Sequence, residues 1–235
     1  MAGETREDEG VNTIPPAAVL FDMDGTLVDS EKVWDVALDE LAVRETGRPL
    51  SAAARRAMIG SSMPVSMRIM RDDLGLDREP DADWLIERVF ELFAQGLVWR
   101  PGALELLRAV REQGLPTALV TSTGRKLVEV ALETLGRENF DVIVCGDEVA
   151  VPKPDPTPYR LAAELLEVPI ERCVAIEDSP TGVASASASG AAVLAVPSEL
   201  ELPPTDGVHL RDSLVGVDPA FLATLLTRGV SPQQR

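Results

Sequence analysis

The sequence predicts an α/β fold in which a parallel β-sheet carries helices on both faces and an all-helical segment is inserted after the first strand. Two patterns support this. Short apolar runs alternate with stretches of helical periodicity, as in strands joined by crossover helices. The alternation is interrupted by roughly 65 residues with helical patterns only, far more than an ordinary crossover contains. With 235 residues, 45% of them hydrophobic, the chain can form a core domain and a smaller insert.

Five apolar runs are the predicted strands, and they cover residues 17–21, 117–121, 142–145, 173–176 and 192–196. Four helices are predicted between them, at residues 103–113, 125–135, 156–166 and 182–189. Glycine follows three of these helices directly, at Gly114, Gly136 and Gly190. A glycine at this position commonly ends a helix because it adopts the left-handed conformation easily.

The inserted segment is predicted to be a helical cap domain at residues 31–99. Its predicted helices cover residues 32–45, 51–58, 64–74 and 81–97. In the last of these, apolar residues recur at helical spacing. The core domain then comprises residues 14–30 and 100–229, with a disordered tail at 1–13 and a second tail at 230–235.

Composition excludes several classes of function. The formal charge of −17 would repel a nucleic acid backbone. No apolar run has the roughly 18 to 20 residues of a membrane span, and the N-terminus is acidic, unlike a signal sequence, so we expect a cytoplasmic protein without membrane contact. His209 is the single histidine, which leaves one candidate base for Ser-His-Asp or Cys-His chemistry. Cys145 and Cys173 lie in apolar runs and are predicted to be reduced core residues.

Two aspartates follow the first predicted strand in the stretch "VLFDMDGTLVDS". In an extended segment, residues two apart point the same way about 6.5 to 7 Å apart, so Asp22 and Asp24 can face one cavity at the end of the strand. Two like charges there are costly unless a cation neutralises them. Mg²⁺ binds carboxylates, waters and phosphate oxygens, and is therefore the predicted cofactor.

Three other predicted strands end in polar residues that suit a phosphate group. Thr121, Ser122 and Thr123 precede a helix, where hydroxyls and amides bind anions. Lys153 lies between two prolines, and Glu177 with Asp178 follows the fourth strand. Each motif alone has an ordinary structural explanation, such as a turn, a helix N-cap or a surface lysine. Together, each at a strand end, they predict a phosphate site with a divalent cation.

The chain resembles the haloacid dehalogenase superfamily, in the branch with a helical cap after the first motif. Four motifs carry the resemblance, "FDMDGT", "VTSTG", "KPDP" and "IEDSPTGVASASASG", and it extends over residues 19–196. It implies a Rossmann-like parallel sheet with a mobile cap. It also implies covalent phosphoryl transfer, with Asp22 as the nucleophile that forms an aspartyl-phosphate and Asp24 as the general acid and base.

The resemblance assigns the remaining motif residues to the metal and the phosphoryl group. Mg²⁺ would be held by the Asp22 carboxylate, the Asp24 carbonyl and the Asp178 carboxylate, with Glu177 beside them. Thr121 and Lys153 would bind the transferring phosphoryl oxygens, and Ser122 would contribute to substrate binding. Gly25 would allow the sharp turn after Asp24, and Thr26 would donate a hydrogen bond near the nucleophile.

The cap residues decide between branches of the superfamily. Beta-phosphoglucomutases carry a cap histidine twelve residues after the first aspartate and an arginine after a Gly-X-Ser loop, and these positions are Trp34 and Met63 here. Both differences favour a phosphatase. Asp24 argues against dehalogenases, which typically lack this aspartate. Phosphonatases carry a cap lysine that forms a Schiff base, but the only lysine in this cap is Lys32, which lies close to the core motif.

We therefore expect a phosphoric monoester hydrolase acting on a small phosphorylated metabolite such as a sugar phosphate, as a monomer or weak dimer. Gly60 and Ser61 are predicted to contact the leaving group. Trp34 either lines the pocket or packs the cap helix. A phosphosugar mutase of the beta-phosphoglucomutase type and a catalytically silent binding protein remain the alternatives.

Overall fold

The structure, a computed structural model, describes residues 14–58, 63–198 and 200–227. The predicted tails at 1–13 and 230–235 lie outside these residues. Six strands form one sheet: β1 Ala18–Phe21, β2 Thr117–Val120, β3 Val142–Val144, β4 Cys173–Glu177, β5 Ala192–Ala195 and β6 Val208–Leu210. All neighbouring strands are parallel, and their spatial order is β3-β2-β1-β4-β5-β6. This is the Rossmann order, which confirms the predicted fold class.

Nine α-helices occur in the described part of the chain: α1 Glu31–Thr46, α2 Ala52–Met58, α3 Met63–Leu74, α4 Ala82–Phe93, α5 Ala103–Glu112, α6 Arg125–Leu135, α7 Thr157–Leu165, α8 Pro180–Ser189 and α9 Pro219–Thr227. Short 3₁₀ helices lie at Arg137–Asn139 and Ile170–Arg172. None of the described helices combines the length and the apolar character that crossing a membrane would require.

Successive residues of a strand point to opposite faces of the sheet, and in this sheet both faces are covered by apolar clusters. On one face, Val19 and Phe21 of β1 join an apolar cluster with residues of α5, α6 and α9. On the other face, Ala18 and Leu20 join a second cluster with residues of α7 and α8. Helices therefore cover both faces, as predicted. Strand β1 lies between β2 and β4, so the strand order reverses direction at this point of the sheet. Such a topological switch point opens a crevice at the carboxyl ends of the strands.

The segment between β1 and α5 forms the helices α1 to α4, and its described residues 31–58 and 63–98 contain no strand. Helix α4 packs on α1 and also contacts α6. Buried residues of these helices, such as Leu41 and Phe93, belong to the same apolar cluster as Phe21. The all-helical character agrees with the sequence, while the domain boundaries at residues 31 and 99 remain a prediction.

Helix α4 is shorter than predicted. Residues 81–97 show helical periodicity, but the helix covers Ala82–Phe93. Asp81 is its N-cap, and its carboxylate accepts a hydrogen bond from the Trp84 amide at 3.0 Å. Ala94 is its C-cap, and Gly96, two residues further on, has the left-handed conformation with φ of +97°.

Strand β6 and helix α9 were not predicted from the sequence. Strand β6 has three residues, which is too short for an alternating apolar pattern to be recognised. Helix α9 is apolar at most positions, which removes the periodic pattern by which an amphipathic helix is recognised. Helix α8 also begins two residues earlier than predicted, at Pro180, because Ser179 is its N-cap and proline suits the first helical position.

Glu167 has a left-handed backbone conformation, with φ of +57°, directly after α7. The Glu167 amide donates to the Glu164 carbonyl and the Val168 amide to the Ala163 carbonyl, both at 3.0 Å, which is the Schellman pattern that normally uses glycine. We expect Glu167→Gly to raise the free energy of unfolding by about 0.5 to 1 kcal/mol, because relief of left-handed strain exceeds the entropy that glycine adds to the unfolded chain. Urea denaturation would measure this gain.

The control for this prediction is Glu164→Gly, an exposed position in the right-handed part of the same helix. There glycine should lower the free energy of unfolding by roughly 0.5 to 1 kcal/mol. A loss of stability in both variants would show that the Glu167 conformation carries no removable strain.

Cys145 and Cys173 are buried and not joined in a disulfide, in agreement with the sequence prediction. Burial raises the pKa of the Cys145 thiol to about 12 and that of Cys173 to about 11. Neither thiol is therefore activated as a nucleophile near neutral pH.

Candidate active site

The predicted site residues meet at the carboxyl edge of the sheet. Asp22 follows β1, Thr121 follows β2 and Asp178 follows β4. Lys153 reaches them from the loop between β3 and α7. Parallel strands place their carboxyl ends at one edge, so residues 97 and 131 positions apart in sequence come into contact.

Lys153 lies at the centre of the site and is almost fully buried. Its ammonium group donates to Asp22 Oδ1 at 2.8 Å, to Glu177 Oε1 at 2.6 Å and to the Val120 carbonyl at 2.9 Å. A lysine has three protons to donate, so all three are used by protein oxygens. Although burial alone would lower it, the carboxylates of Asp22 and Glu177 hold the pKa of Lys153 above its usual value. The lysine is therefore a fixed positive charge.

Tyr159 is a site residue that the sequence analysis missed. Its hydroxyl donates to Glu177 Oε1 at 2.6 Å, and the Lys153 ammonium lies 5.1 Å from the centre of its ring. The side chain is fully buried, and burial followed by the Glu177 charge raises the pKa of Tyr159 well above its usual value. The hydroxyl thus remains a donor, so Glu177 Oε1 accepts from both the lysine and the tyrosine.

Asp178 is held by two hydroxyl groups. Ser198 Oγ donates to Asp178 Oδ2 at 2.5 Å, and Thr26 Oγ1 lies 3.5 Å from Oδ1. Ser198 also lies 3.3 Å from Glu31 Oε2, at the start of α1, and was not predicted. The position of Asp178 requires Gly25, whose φ is +80° and whose added Cβ would lie 2.1 Å from Asp178 Oδ2. The glycine of the first motif thus makes space for the carboxylate of the fourth.

The carboxylate of Asp24 accepts hydrogen bonds from three hydroxyl groups. Ser30 Oγ donates to its Oδ1 at 2.6 Å, while Thr121 Oγ1 and Thr123 Oγ1 donate to its Oδ2 at 3.1 and 2.7 Å. Thr121 was predicted to bind phosphate, and here its hydroxyl contacts Asp24. Ser122 is exposed in the same loop.

The buried carboxylates fit a divalent cation. Asp22, Glu177 and Asp178 each offer an oxygen, and these oxygens lie within 4.8 Å of one another. Two of these three buried carboxylates, Asp22 and Glu177, are paired with the single ammonium charge of Lys153. Burial and the Glu177 charge raise the pKa of Asp22 well above its usual range and that of Asp178 to about 7. The ionised cluster therefore lacks positive charge, and oxygen ligands of this kind suit Mg²⁺.

The predicted cap residues are only partly described. Trp34 lies on α1, is partly buried and packs against the apolar cluster that contains Phe21. Met63 begins α3 and also packs against that cluster. Gly60 and Ser61, predicted to contact the leaving group, lie outside the described residues.

A parallel sheet with an acidic, lysine-containing site at its carboxyl edge and a helical insertion after the first strand characterises a class of α/β enzymes. Residues 16–190 match the family model of haloacid dehalogenase-like hydrolases. The chain therefore belongs to this family, as its motifs predicted.

Similar proteins agree with this assignment. The chain is 30% identical to hexitol phosphatase A of Escherichia coli (strain K12) over 81% of its own length and 88% of that protein. It is 33% identical to phosphoglycolate phosphatase of Rhodospirillum rubrum, over 76% of its length and 78% of that protein. The crystal structure of CbbY from Rhodobacter sphaeroides in complex with phosphate superposes with a TM-score of 0.74 at 31% identity, covering 88% of this chain and 99% of that one.

Proposed function

We propose that the protein is a Mg²⁺-dependent phosphatase that hydrolyses a small phosphorylated metabolite, of the sugar phosphate class, through an aspartyl-phosphate intermediate. The observation that supports this most directly is the contact of Lys153 with Asp22 and Glu177, at 2.8 and 2.6 Å, in a buried acidic cluster. A cation beside a nucleophilic carboxylate suits a reaction that accumulates negative charge on phosphoryl oxygens.

The enzyme class agrees with the comparisons. The matched family model is that of haloacid dehalogenase-like hydrolases, and hexitol phosphatase A and phosphoglycolate phosphatase each align with most of the chain, which confirms the predicted class of phosphoric monoester hydrolase. The substrate class is supported by hexitol phosphatase A and by a phosphorylated carbohydrates phosphatase of Thermotoga maritima, which is 34% identical over 74% of this chain.

In the first chemical step, a carboxylate oxygen of Asp22 attacks phosphorus and forms a new O–P bond. The bond between phosphorus and the ester oxygen breaks, and Asp24 donates a proton to the leaving oxygen. In the second step, Asp24 takes a proton from water as the water oxygen attacks phosphorus. The Asp22–phosphorus bond then breaks, which releases orthophosphate and restores the carboxylate.

The other residues bind and orient the phosphoryl group. Lys153 would donate to a phosphoryl oxygen after giving up one of its three present partners, and Thr121 would do so after leaving Asp24. Mg²⁺, held by the carboxylates of Asp22 and Asp178 and the carbonyl of Asp24, with Glu177 beside them, would supply positive charge that offsets the negative charge of the phosphoryl oxygens.

A panel of sugar, nucleotide and short-chain acid phosphates tests the proposed function. We expect the purified protein to release orthophosphate from at least one sugar phosphate with Mg²⁺, to stop when the metal is chelated, and to recover when Mg²⁺ is restored. Absence of hydrolysis across the whole panel would reject the proposal and favour the silent binding protein.

The mutase alternative rests on core motifs shared with beta-phosphoglucomutases, and it is tested separately. NMR of the protein with beta-glucose 1-phosphate distinguishes the two reactions. A phosphatase releases orthophosphate and glucose. Accumulation of glucose 6-phosphate without orthophosphate would identify a mutase, despite Trp34 and Met63 at the two distinguishing cap positions.

A further inference from the structure

Thr123 is predicted to offer a hydroxyl to phosphate, but neither the motifs nor the comparisons explain its contact with Asp24. Its hydroxyl donates to Asp24 Oδ2 at 2.7 Å, a shorter contact than the 3.1 Å from Thr121 to the same oxygen. The third hydroxyl, Ser30 Oγ, is on the other carboxylate oxygen. Thr123 and Thr121 thus share one oxygen of the carboxylate that we propose as the general acid and base.

The backbone around Thr123 is fixed on both sides. Its amide donates to Thr121 Oγ1 at 3.0 Å, and its carbonyl accepts from the Gly146 amide at 3.1 Å. An added Cβ at Gly146 would lie 2.1 Å from the Ser122 carbonyl oxygen, so the loop after β3 packs directly on this segment. A hydroxyl on a fixed backbone can orient the group that it binds.

The two threonines can then serve different groups in the reaction. Thr121 must leave Asp24 if its hydroxyl binds a phosphoryl oxygen, as proposed above. Asp24 Oδ2 would lose a partner at that moment, but the shorter bond from Thr123 remains. Since a partly buried oxygen without a partner is unfavourable, the Thr123 bond keeps the carboxyl group in one orientation while the substrate is bound.

We propose that Thr123 is a positioning residue for Asp24, and that it holds the carboxyl group where it can protonate the leaving oxygen. This inference rests on the proposed phosphatase function. It predicts that loss of the Thr123 hydroxyl slows hydrolysis most for esters whose leaving oxygen needs a proton. Esters with an acidic leaving group depart with little help from a general acid and should be affected least.

The test compares Thr123→Val with the wild type on phenyl phosphates of similar size whose leaving phenols differ in acidity. The measured quantity is kcat/KM, because it reports the steps up to release of the phenol and omits hydrolysis of the intermediate. We expect Thr123→Val to lower kcat/KM about 10- to 100-fold for unsubstituted phenyl phosphate. For p-nitrophenyl phosphate we expect at most about a threefold loss, so the dependence on leaving-group acidity becomes steeper.

Thr123→Ser retains a hydroxyl and should restore the wild-type dependence, whereas Thr205→Val, at an exposed loop position, should leave it unchanged. If the valine variant does not fold, Thr123→Ala serves the same comparison. An equal loss for all esters, or a rise in KM alone, would overturn the inference, because it would indicate packing or substrate binding. Inactivity of the wild type on every ester would instead reject the proposed function.

Discussion

The Asp22→Asn variant is expected to lose at least about 1000-fold in kcat for phosphate ester hydrolysis, because an amide cannot form the acyl phosphate that a carboxylate nucleophile forms. The fold should survive. Burial and the Glu177 charge raise the pKa of Asp22, and an amide of the same shape can still accept the hydrogen bond from Lys153 at its Oδ1. The measurements are orthophosphate release with Mg²⁺ and the thermal midpoint without it, which should not fall.

Asp206→Asn is the matched control, because it makes the same change at an exposed loop position. It should retain full activity. Mass spectrometry of acid-quenched reactions should find one phosphoryl group on the wild-type chain and none on Asp22→Asn. A phosphorylated Asp22→Asn protein, or one that keeps a tenth of the wild-type rate, would exclude Asp22 as the nucleophile.

Gly182→Ala is expected to lower kcat by roughly 100-fold, as misplacement of a catalytic group by about 1 Å can do. An added Cβ at Gly182 would lie 2.0 Å from the carboxylate oxygens of Glu177, which is fully buried. Glu177 must then move, and its contacts with Lys153 and Tyr159 must change. Alanine normally stabilises a helix relative to glycine, so a fall in the free energy of unfolding would point to this clash.

A double-mutant cycle isolates the cause. If the clash with Glu177 is responsible, Gly182→Ala should cost much less stability in a Glu177→Ala background, where the carboxylate is absent. Ser187→Ala, an exposed position on the same helix, should leave activity unchanged. Equal costs of Gly182→Ala in both backgrounds would show that the glycine is required for another reason.

The acidic residues of the site could be predicted from the sequence because each is adjacent to an apolar strand. Asp22 and Asp178 follow β1 and β4 directly, and a parallel sheet gathers such positions at one edge. The alternation of strands and helices, from which the fold class was predicted, can likewise be recognised from short stretches of the sequence. Gly25 and Asp178 could each be assigned to the site from their own motifs, although the contact between them is visible only in the structure.

The supporting residues could not be predicted because their roles depend on distant contacts. Tyr159 is the single tyrosine of the chain and has the spacing of a core residue on α7, where only the structure shows its bond to Glu177. Ser198 lies in an irregular segment after β5, where serine is unremarkable in sequence. The sequence predicts a phosphate-binding hydroxyl at Thr123, as at Thr121, but it gives no sign that both side chains meet Asp24.

The three bonds of the Lys153 ammonium have a consequence for product release. Because its protons are already shared with Asp22, Glu177 and the Val120 carbonyl, a phosphate can bind the lysine only by exchange with one of these oxygens. The same exchange runs in reverse when orthophosphate departs, so the buried ammonium need never be left without a partner. Contact with Lys153 should therefore orient the phosphate more than it retains it, and the last step of each turnover should meet little resistance from the lysine.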